Sequence, residues 1–302
     1  MRCVLAKRLN ITETLVGKML WAPKRIYKTD DKYPVGIKKL KFESLNYWGQ
    51  WEEEKFTKTV AIVGSRRMSK YGQEVIERIV PYLVAKNISV ISGFMYGVDQ
   101  EAHKMCAKMG GVTIAVLGYG LGYSQLNSFK PLAQNILENR GLILSPFEND
   151  FKSTRWSFPQ RNLIVGGLST LGIIVVEADL ASGSLGTAKI GKRLGKKVFA
   201  VPGPITSRIS RGTNWLIKTG AAQMLSNPEE IDAGETKQLE LSLTGQQDPL
   251  LKMLENETLN ANELAVKLKQ PVGEILGRAS MLVLEGKLVE AEGGFRLNQI
   301  QD

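Results

Sequence analysis

The sequence predicts an α/β protein: a doubly wound, mostly parallel, extended Rossmann-like sheet with a small C-terminal winged-helix domain. Two observations support this. Between residues 59 and 201, six short and almost uninterrupted apolar runs alternate with helical stretches, as expected for parallel strands that are covered on both faces. After a polar stretch, three short amphipathic segments then precede two short runs that are separated by glycines.

The six apolar runs are the predicted strands, at residues 59–64, 88–93, 113–118, 141–145, 172–177 and 197–201. Strands that alternate with helices form a parallel sheet with right-handed crossovers. Ligands of such sheets bind at the carboxyl ends of the strands. The functional residues are therefore expected in the loops that follow these runs.

The predicted helices lie between the strands, at residues 71–86, 98–109, 129–139, 162–168 and 185–194. Pro81 lies inside the first of them. A proline in a helix interior costs about 3 kcal/mol, so we expect a kink or a break at this position.

The C-terminal segments predict helices at residues 249–254, 262–268 and 272–285, and a hairpin from residues 287–290 and 294–297. Three helices followed by a hairpin is the order of a winged helix. The predicted domains are a short N-terminal lead-in at 1–55, a Rossmann-like domain at 56–232, a linker at 233–247 and a winged-helix-like domain at 248–302.

The charge is distributed unevenly along the chain. The net charge is +10 overall, with +9 in residues 1–70, +6 in residues 71–231 and −5 in residues 232–302. The first two thirds therefore suit a polyanionic partner, although a solvated lysine-rich surface would give the same sum.

The cysteines and the apolar pattern also indicate the cellular compartment of the protein. Cys3 and Cys106 lie far apart without metal-ligand spacing, which indicates a reducing compartment. The N-terminus lacks the pattern of a signal peptide, and no apolar run approaches the roughly 20 residues of a membrane span. We expect a cytoplasmic protein with no membrane partner.

The loop after the first predicted strand has the composition of a phosphate-binding turn. Gly64 lets a ligand approach the backbone, and Ser65 and the amides of the following helix can bind an anion. Arg66 offers bidentate phosphate recognition, and Arg67 follows it. The loop lacks the Gly-x-Gly-x-x-Gly pattern, so no dinucleotide cofactor is indicated. A tight turn with solvent-exposed arginines is the alternative.

Three further glycine-bearing turns follow predicted strands. They are Ser92–Gly93, the glycine-rich segment 118–122, and the segment 183–187 with Gly183, Ser184 and Thr187. Four such turns at strand ends exceed what connectivity requires, and they predict a phosphate-binding rim.

Cations and large aromatics alternate in residues 155–162, which include Arg155, Phe158, Arg161 and Asn162. A bound single strand needs charges along its backbone and rings for its bases, each stacked base contributing about 1–3 kcal/mol. Phe158 precedes a proline and does not fit mid-helix easily, so we expect it on a loop or on the entry turn of the helix. The alternative is a hydrophobic staple with Trp156 in the core.

No catalytic or metal site is predicted. His103 is the only histidine, which excludes a histidine cluster that could hold a metal, and we predict no Ser-His-Asp triad around it. Four acidic residues could in principle act as acids or bases: Asp99, Glu101, Glu177 and Asp179. Glu177 is the best placed of them, because it ends a predicted strand next to a glycine-rich loop. A loop or helix-cap role is the favoured interpretation of Glu177.

Six motifs, in this order, resemble the DNA-processing protein A (DprA, also called Smf) family: VAIVGSR at 60–66, SGFMYGVDQEAH at 92–103, TIAVLGYGLG at 113–122, FPQRNLIVGGLS at 158–169, VVEADLASGSLGTA at 175–188 and VFAVPGPITSRISRGTN at 198–214. The similarity extends from about Tyr33 to Ile231. It implies a cytoplasmic homodimer that binds and protects single-stranded DNA and helps to load the RecA recombinase during natural transformation, without catalysis or cofactor. Its implied DNA-binding residues are Gly64, Ser65, Arg66, Arg155, Phe158, Arg161, Asn162, Gly183, Ser184 and Thr187.

The chain departs from this family at several positions. Only about 30 residues precede Tyr33, where many members have a helical domain. Residues 94–96 replace the usual Leu-Ala-Arg, and Leu163 stands where an arginine is frequent, so a lower DNA affinity is expected. The predicted recognition helix has a single cation, Arg278, between two glutamates, so we expect the acidic tail to contact protein or the basic rim instead of DNA.

Two other functions stay open on the residues. One is a Rossmann enzyme that hydrolyses nucleoside monophosphates in the manner of a phosphoribohydrolase; such enzymes use a Pro-Gly-Gly-x-Gly-Thr loop, and residues 182–187 lack its Gly-Gly pair. The other is a sensor that binds a small nucleotide in the same pocket.

Overall fold

The computed structural model describes residues 21–123, 128–232, 249–254, 257–284, 286–291 and 293–298. The chain divides into two compact units, Met1–Gly234 and Glu235–Asp302. The predicted linker at 233–247 and the first twenty residues of the predicted lead-in lie outside the described residues.

The first unit contains a nine-stranded sheet. Its strands are β1 (Lys24–Tyr27), β2 (Ser44–Gly49), β3 (Thr59–Val63), β4 (Ser89–Ser92), β5 (Thr113–Val116), β6 (Leu142–Ser145), β7 (Gly172–Val175), β8 (Val198–Ala200) and β9 (Gln223–Met224). Their order is β1-β2-β6-β5-β4-β3-β7-β8-β9. Strands β3 to β9 pair in parallel, whereas β2 pairs antiparallel with both β1 and β6. The predicted fold class, a mostly parallel doubly wound sheet, is confirmed.

All six predicted strands form, and three strands were not predicted. Strands β1 and β2 lie within the segment that we predicted as a lead-in, and they extend one edge of the sheet. Strand β9 extends the other edge with two residues. The predicted lead-in therefore contributes directly to the sheet of the first unit.

Helices cover both faces of this sheet. They are α1 (Val35–Lys38), α2 (Lys70–Ala85), α3 (Val98–Lys108), α4 (Lys130–Glu138), α5 (Ser157–Leu168), α6 (Gly183–Arg193) and α7 (Arg211–Lys218). Alternate residues of β3 point to opposite faces: Val60 and Ile62 pack with the core of α2 and α3, and Ala61 packs with the core of α5 and α6. Both faces of the central strands are therefore buried, which explains their continuous apolar sequences.

The expected break at Pro81 does not occur, because α2 continues from Lys70 to Ala85. The helix buries one apolar face, formed by Ile76, Ile79, Val80 and Leu83. Packing of this face offsets the hydrogen bond that the proline cannot donate.

Helix α5 begins at Ser157, five residues before the predicted start at Asn162. Phe158 therefore lies in the entry turn of the helix, one of the two positions expected for it, and not on a loop. Pro159 is the third helical residue, where backbone amides have no partner within the helix and a proline is tolerated. Reciprocal hydrogen bonds stabilise this start: the Thr154 amide donates to Ser157 Oγ at 3.0 Å, and the Ser157 amide donates to Thr154 Oγ1 at 3.3 Å.

The second unit contains three helices and a hairpin: α8 (Pro249–Met253), α9 (Ala261–Leu268), α10 (Val272–Leu284), β10 (Leu288–Ala291) and β11 (Gly294–Leu297). The two strands pair antiparallel. The unit has its own core, which includes Leu250, Leu264, Ile275, Leu288 and Phe295. The element order is the predicted one, and the winged-helix assignment stays a prediction.

Candidate functional site

A cleft of about 540 Å³ opens at the carboxyl ends of β3, β4 and β7. The strand order reverses between β3 and β7, since the chain proceeds from β3 towards β6 in one direction and from β7 towards β9 in the other. This point is the topological switch point at which ligands of doubly wound sheets bind.

Most of the predicted site residues line this cleft. They are Gly64, Ser65, Arg66, Arg67, Gly93, Phe158, Arg161, Asn162, Gly183, Ser184 and Thr187. Arg155 lines an adjoining cleft, which shares Arg66, Phe158 and Gly183 with the first. Ser92 does not line either cleft, because its buried hydroxyl donates to the Ile62 carbonyl at 2.5 Å. Ser92 therefore joins β4 to β3.

The loop of residues 64–67 lies directly on the start of α3. The Val98 amide donates to the Ser65 carbonyl at 3.1 Å. Gly97 has a φ of 78°, and a Cβ there would lie 2.2 Å from that same carbonyl oxygen, so the close approach requires glycine. Sequence reasoning did not select Gly97 as a site residue, although its position between β4 and α3 was visible.

The loop presents its two arginines to solvent. Ser65 Oγ accepts from the Arg67 amide at 3.1 Å and donates to the Arg67 carbonyl at 3.0 Å. Arg66 and Arg67 are exposed, and in the described part of the chain neither forms a salt bridge with an acidic side chain. Their positive charge is therefore available to a ligand.

Glu177 fixes the start of the helix that follows this loop. Its carboxylate accepts from the Ser69 amide at 2.9 Å and from the Ser69 hydroxyl. Ser69 is in turn the N-cap of α2 and accepts from the Gly72 amide at 3.2 Å. Glu177 is buried and does not line the cleft. The geometry agrees with a helix-cap role and not with acid–base chemistry in the cleft.

Arg161 is buried at 4% exposure, unlike the other arginines of the cleft. Its Nη1 atom donates to the carbonyl oxygens of Gly93 and Val116, the latter at 2.5 Å, and its Nε atom donates to Asn162 Oδ1 at 2.9 Å. The guanidinium thus joins the carboxyl ends of β4 and β5 beneath the cleft. Arg161 positions the site, and its hydrogen bonds are directed at the protein itself.

Asp99 is the buried carboxylate beside Arg161. Burial raises the pKa of Asp99 from its ordinary 3.8 to about 6, although the charge of Arg161 and hydrogen bonds from the Met95 and Gly93 backbone amides act to lower it. The ionised form is thus disfavoured in the folded protein, although the Arg161 charge opposes the shift.

The replacement Asp99→Asn is therefore expected to change stability with pH. As the pH rises from 3.8 towards 6, Asp99 ionises first in the unfolded state, so the wild type loses stability that the neutral asparagine retains. Between pH 4.5 and pH 7.5, the unfolding free energy of the variant should rise relative to the wild type by about 2 kcal/mol. Urea denaturation at both pH values measures this difference, and a difference that does not change with pH would contradict it.

Phe158 lies between two arginines inside the cleft. The guanidinium carbons of Arg66 and Arg161 lie 5.5 Å and 5.9 Å from the centre of its ring. The ring also packs on the glycine-rich turn at residues 118–122, since a Cβ on Gly118 would lie 2.7 Å from Phe158 Cδ1. The ring is held in place and is half-buried.

The glycine-rich turn at residues 118–122 does not belong to the phosphate-binding rim, contrary to our prediction. A Cβ on Gly120 would lie 2.0 Å from the Glu148 carbonyl oxygen. The Gly120 amide donates to the Phe151 carbonyl at 2.9 Å. These glycines permit close packing against the segment after β6, and none of them lines the cleft.

The start of α6 forms another, open part of the cleft lining. Ser182 is its N-cap and accepts from the Ser184 amide at 3.4 Å. A Cβ on Gly183 or Gly186 would meet no heavy atom within 4 Å, and the first turn contains no acidic residue. Helix N-termini bind anions through their free amides and their dipole, so a phosphate can approach this part of the cleft.

Asp179 and Arg208 complete the cleft, and sequence reasoning did not select Arg208. Arg208 Nε donates to Asp179 Oδ2 at 2.6 Å. This hydrogen bond, followed by one from the Leu180 amide, lowers the pKa of Asp179. The sequence signal for Arg208 was its place in the motif at 198–214.

The cleft is therefore positively charged. Its acidic residues are buried, as Asp99 is, or paired, as Asp179 is, whereas Arg66 and Arg67 face solvent. His103 lies behind the cleft with Nδ1 2.6 Å from Thr113 Oγ1, and burial lowers its pKa to about 3. Within the described residues, no group of three or more His, Cys, Asp or Glu side chains could hold a metal ion.

Among the helices that the structure describes, none combines the length and the apolar character that a membrane span requires.

Comparison with known proteins extends these observations. The family model described as DNA recombination-mediator protein A matches residues 24–234. Protein Smf of Escherichia coli (strain K12) is 37% identical over 254 residues, which are 78% of this chain and 67% of that protein. DNA processing protein DprA of Streptococcus pneumoniae is 37% identical over 205 residues, which are 67% of this chain and 71% of that protein.

Two solved structures share the fold. The X-ray structure of DprA from Streptococcus pneumoniae has a TM-score of 0.63 at 31% identity, over 75% of this chain and 79% of that chain. DNA processing protein A from Helicobacter pylori, described with its single-stranded DNA binding mode, has a TM-score of 0.61 at 28% identity, over 69% of this chain and 93% of that chain.

Proposed function

Because this chain belongs to the DNA recombination-mediator protein A family, we propose that its cleft binds the phosphate backbone of single-stranded DNA. The proposal rests chiefly on one observation: exposed arginines after β3 face the open N-terminus of α6 across the switch point of the sheet. The relative from Helicobacter pylori, whose structure is described with its single-stranded DNA binding mode, supports it.

Each part of the cleft has a role in this proposal. Arg66 and Arg67 contact phosphates, and the Gly183 amide at the open start of α6 donates to a further phosphate. Phe158 offers its ring to a base, and Arg155 continues the positive surface into the adjoining cleft. A base reaches the half-buried Phe158 ring only when it is not stacked in a duplex, which favours a single strand.

The wider role that we propose follows from the family. The chain acts in the cytoplasm as a homodimer that protects incoming single-stranded DNA and helps to load RecA during natural transformation. It has no catalytic step and no cofactor. The absence of a catalytic step is supported by two acidic residues that already form hydrogen bonds within the protein: Glu177 accepts from Ser69, and Asp179 accepts from Arg208.

The replacement Arg66→Ala tests the proposal. The variant should bind a labelled single-stranded oligonucleotide about tenfold more weakly. The slope of log K against log salt concentration should become shallower by about 0.7, the value for one phosphate contact on a single strand. Fluorescence anisotropy across a salt series measures both quantities.

Arg193→Ala is the matched control, because Arg193 is exposed at the far end of α6 and lines neither cleft. It should leave affinity and slope unchanged. A wild type that binds one mononucleotide saturably, with weak oligonucleotide binding, would instead indicate the nucleotide sensor. Release of free base from a nucleotide panel would indicate the phosphoribohydrolase-like enzyme.

A further inference from the structure

Trp156 is a large aromatic side chain that the fold leaves at the surface. It is 56% exposed, so the alternative that placed it in the core was wrong. It is the N-cap residue of α5, where a small polar side chain would ordinarily accept a hydrogen bond from a helical amide. Helix capping therefore does not account for the presence of a tryptophan at this position.

Two aromatic neighbours hold this indole in place. The rings of Phe147 and Phe151 stack with their centres 4.5 Å apart. The Trp156 ring meets them edge-on, with centre-to-centre distances of 5.8 Å and 5.5 Å. An aromatic surface that is already ordered loses little conformational entropy when it binds a ligand.

The backbone beside Trp156 is equally well defined. The reciprocal hydrogen bonds between Thr154 and Ser157 enclose it, and Ser157 Oγ donates to the Gly118 carbonyl at 2.6 Å. Trp156 therefore combines a fixed position with a large exposed ring.

Trp156 lies next to the positively charged clefts. Arg155, the preceding residue, lines the adjoining cleft together with Arg66 and Phe158. The two residues are consecutive, with Cα atoms about 3.8 Å apart, so the indole is within reach of a strand that extends past Arg155. The chain thus places a cation, Arg155, and an exposed ring, Trp156, just before Phe158. This is the combination that binds an unpaired base.

We propose that Trp156, supported by Phe147 and Phe151, is a second base-stacking position, which extends the path of the bound single strand beyond the clefts. The ligand group is an unpaired nucleobase of any identity, because stacking is tolerant of sequence. This inference rests on the proposed single-stranded DNA binding and adds a position to it.

The first test compares Trp156→Leu with Trp156→Phe in the full-length protein. Leucine retains an apolar contact with the two phenylalanines but has no ring, whereas phenylalanine keeps an aromatic face. We expect Trp156→Leu to weaken binding of a twelve-nucleotide oligothymidylate about tenfold and Trp156→Phe about threefold or less. The slope of log K against log salt should not change, because no phosphate contact is lost.

Trp215→Leu is the matched control, because Trp215 is 48% exposed on α7 and lines neither cleft. It should bind like the wild type. Equal weakening by Trp156→Leu and Trp215→Leu, or binding by Trp156→Leu within twofold of the wild type, would overturn the inference.

Oligonucleotides with one abasic position give a second test. In the wild type, one abasic position at the end of the bound segment should reduce affinity; in Trp156→Leu the same position should have no further effect. Undiminished sensitivity in the variant would overturn the inference. Failure of the proposed function looks different, because the wild type itself would then not bind and Arg66→Ala would have no measurable effect.

Discussion

Replacement of Arg161 by methionine is expected to lower the free energy of unfolding by about 3–5 kcal/mol. Methionine fills much of the same volume but donates no hydrogen bond. The Gly93 and Val116 carbonyls would then lose a buried donor, and Asp99 would lose the cation that opposes its desolvation. Each unsatisfied buried group costs about 1–3 kcal/mol, so the two carbonyls alone account for much of the loss.

Urea denaturation at pH 7.5 measures this loss, with Arg66→Met as the matched control. Arg66 is exposed, so the same chemical change should alter stability by no more than about 0.5 kcal/mol. The double variant Asp99→Asn/Arg161→Met should be more stable than Arg161→Met alone, because it removes the uncompensated carboxylate. A loss below about 1 kcal/mol for Arg161→Met would show that its hydrogen bonds are not structural.

The contrast between Arg161 and Arg66 shows what the sequence could predict about the site. Both arginines were selected, Arg66 because it lies in the glycine turn after a predicted strand and Arg161 because cations and aromatics alternate around it. The sequence could not separate their roles, since an exposed and a buried arginine have the same chemical identity. Only the proximity of Gly93 and Val116, residues far from Arg161 in the chain, reveals that its guanidinium is engaged within the protein.

The fold likewise has parts that neighbouring residues determine and parts that depend on residues far apart in the chain. The central strands were predictable because burial on both faces produces continuous apolar runs. Strand β2 was not, because it pairs antiparallel with β6, with Asn46 opposite Ser145 across about a hundred residues. The start of α5 was misplaced because the local effect of Pro159 on Phe158 is weaker than the hydrogen bonds between Thr154 and Ser157.

The replacement Gly183→Asp should change stability and DNA binding in opposite directions. Gly183 is the first residue of α6, and an added side chain meets no atom within 4 Å, so the fold can accommodate aspartate. A carboxylate in the first turn interacts favourably with the helix dipole, and loss of glycine reduces the entropy of the unfolded chain. The unfolding free energy should therefore rise by about 0.5–1 kcal/mol.

Binding of single-stranded DNA by Gly183→Asp should fall at least tenfold, because the new charge occupies the position proposed for a phosphate. Two unit charges 4 Å apart interact by about 4 kcal/mol near a protein surface, more than such a loss requires. Gly183→Asn is the neutral control of similar shape, and Gly273→Asp places the same charge at the start of α10 in the second unit. Both controls should bind much more tightly than Gly183→Asp.

Urea denaturation and fluorescence anisotropy on the same preparations give the two measurements. Parallel losses of stability and affinity would indicate a damaged fold and would not support a phosphate at α6. Unchanged affinity with a more stable fold would exclude a phosphate from this helix start, and the DNA backbone would then have to follow Arg66 and Arg155 alone. A gain in stability together with a loss of affinity that salt partly suppresses is the result that only an anion site predicts, because packing defects do not depend on ionic strength.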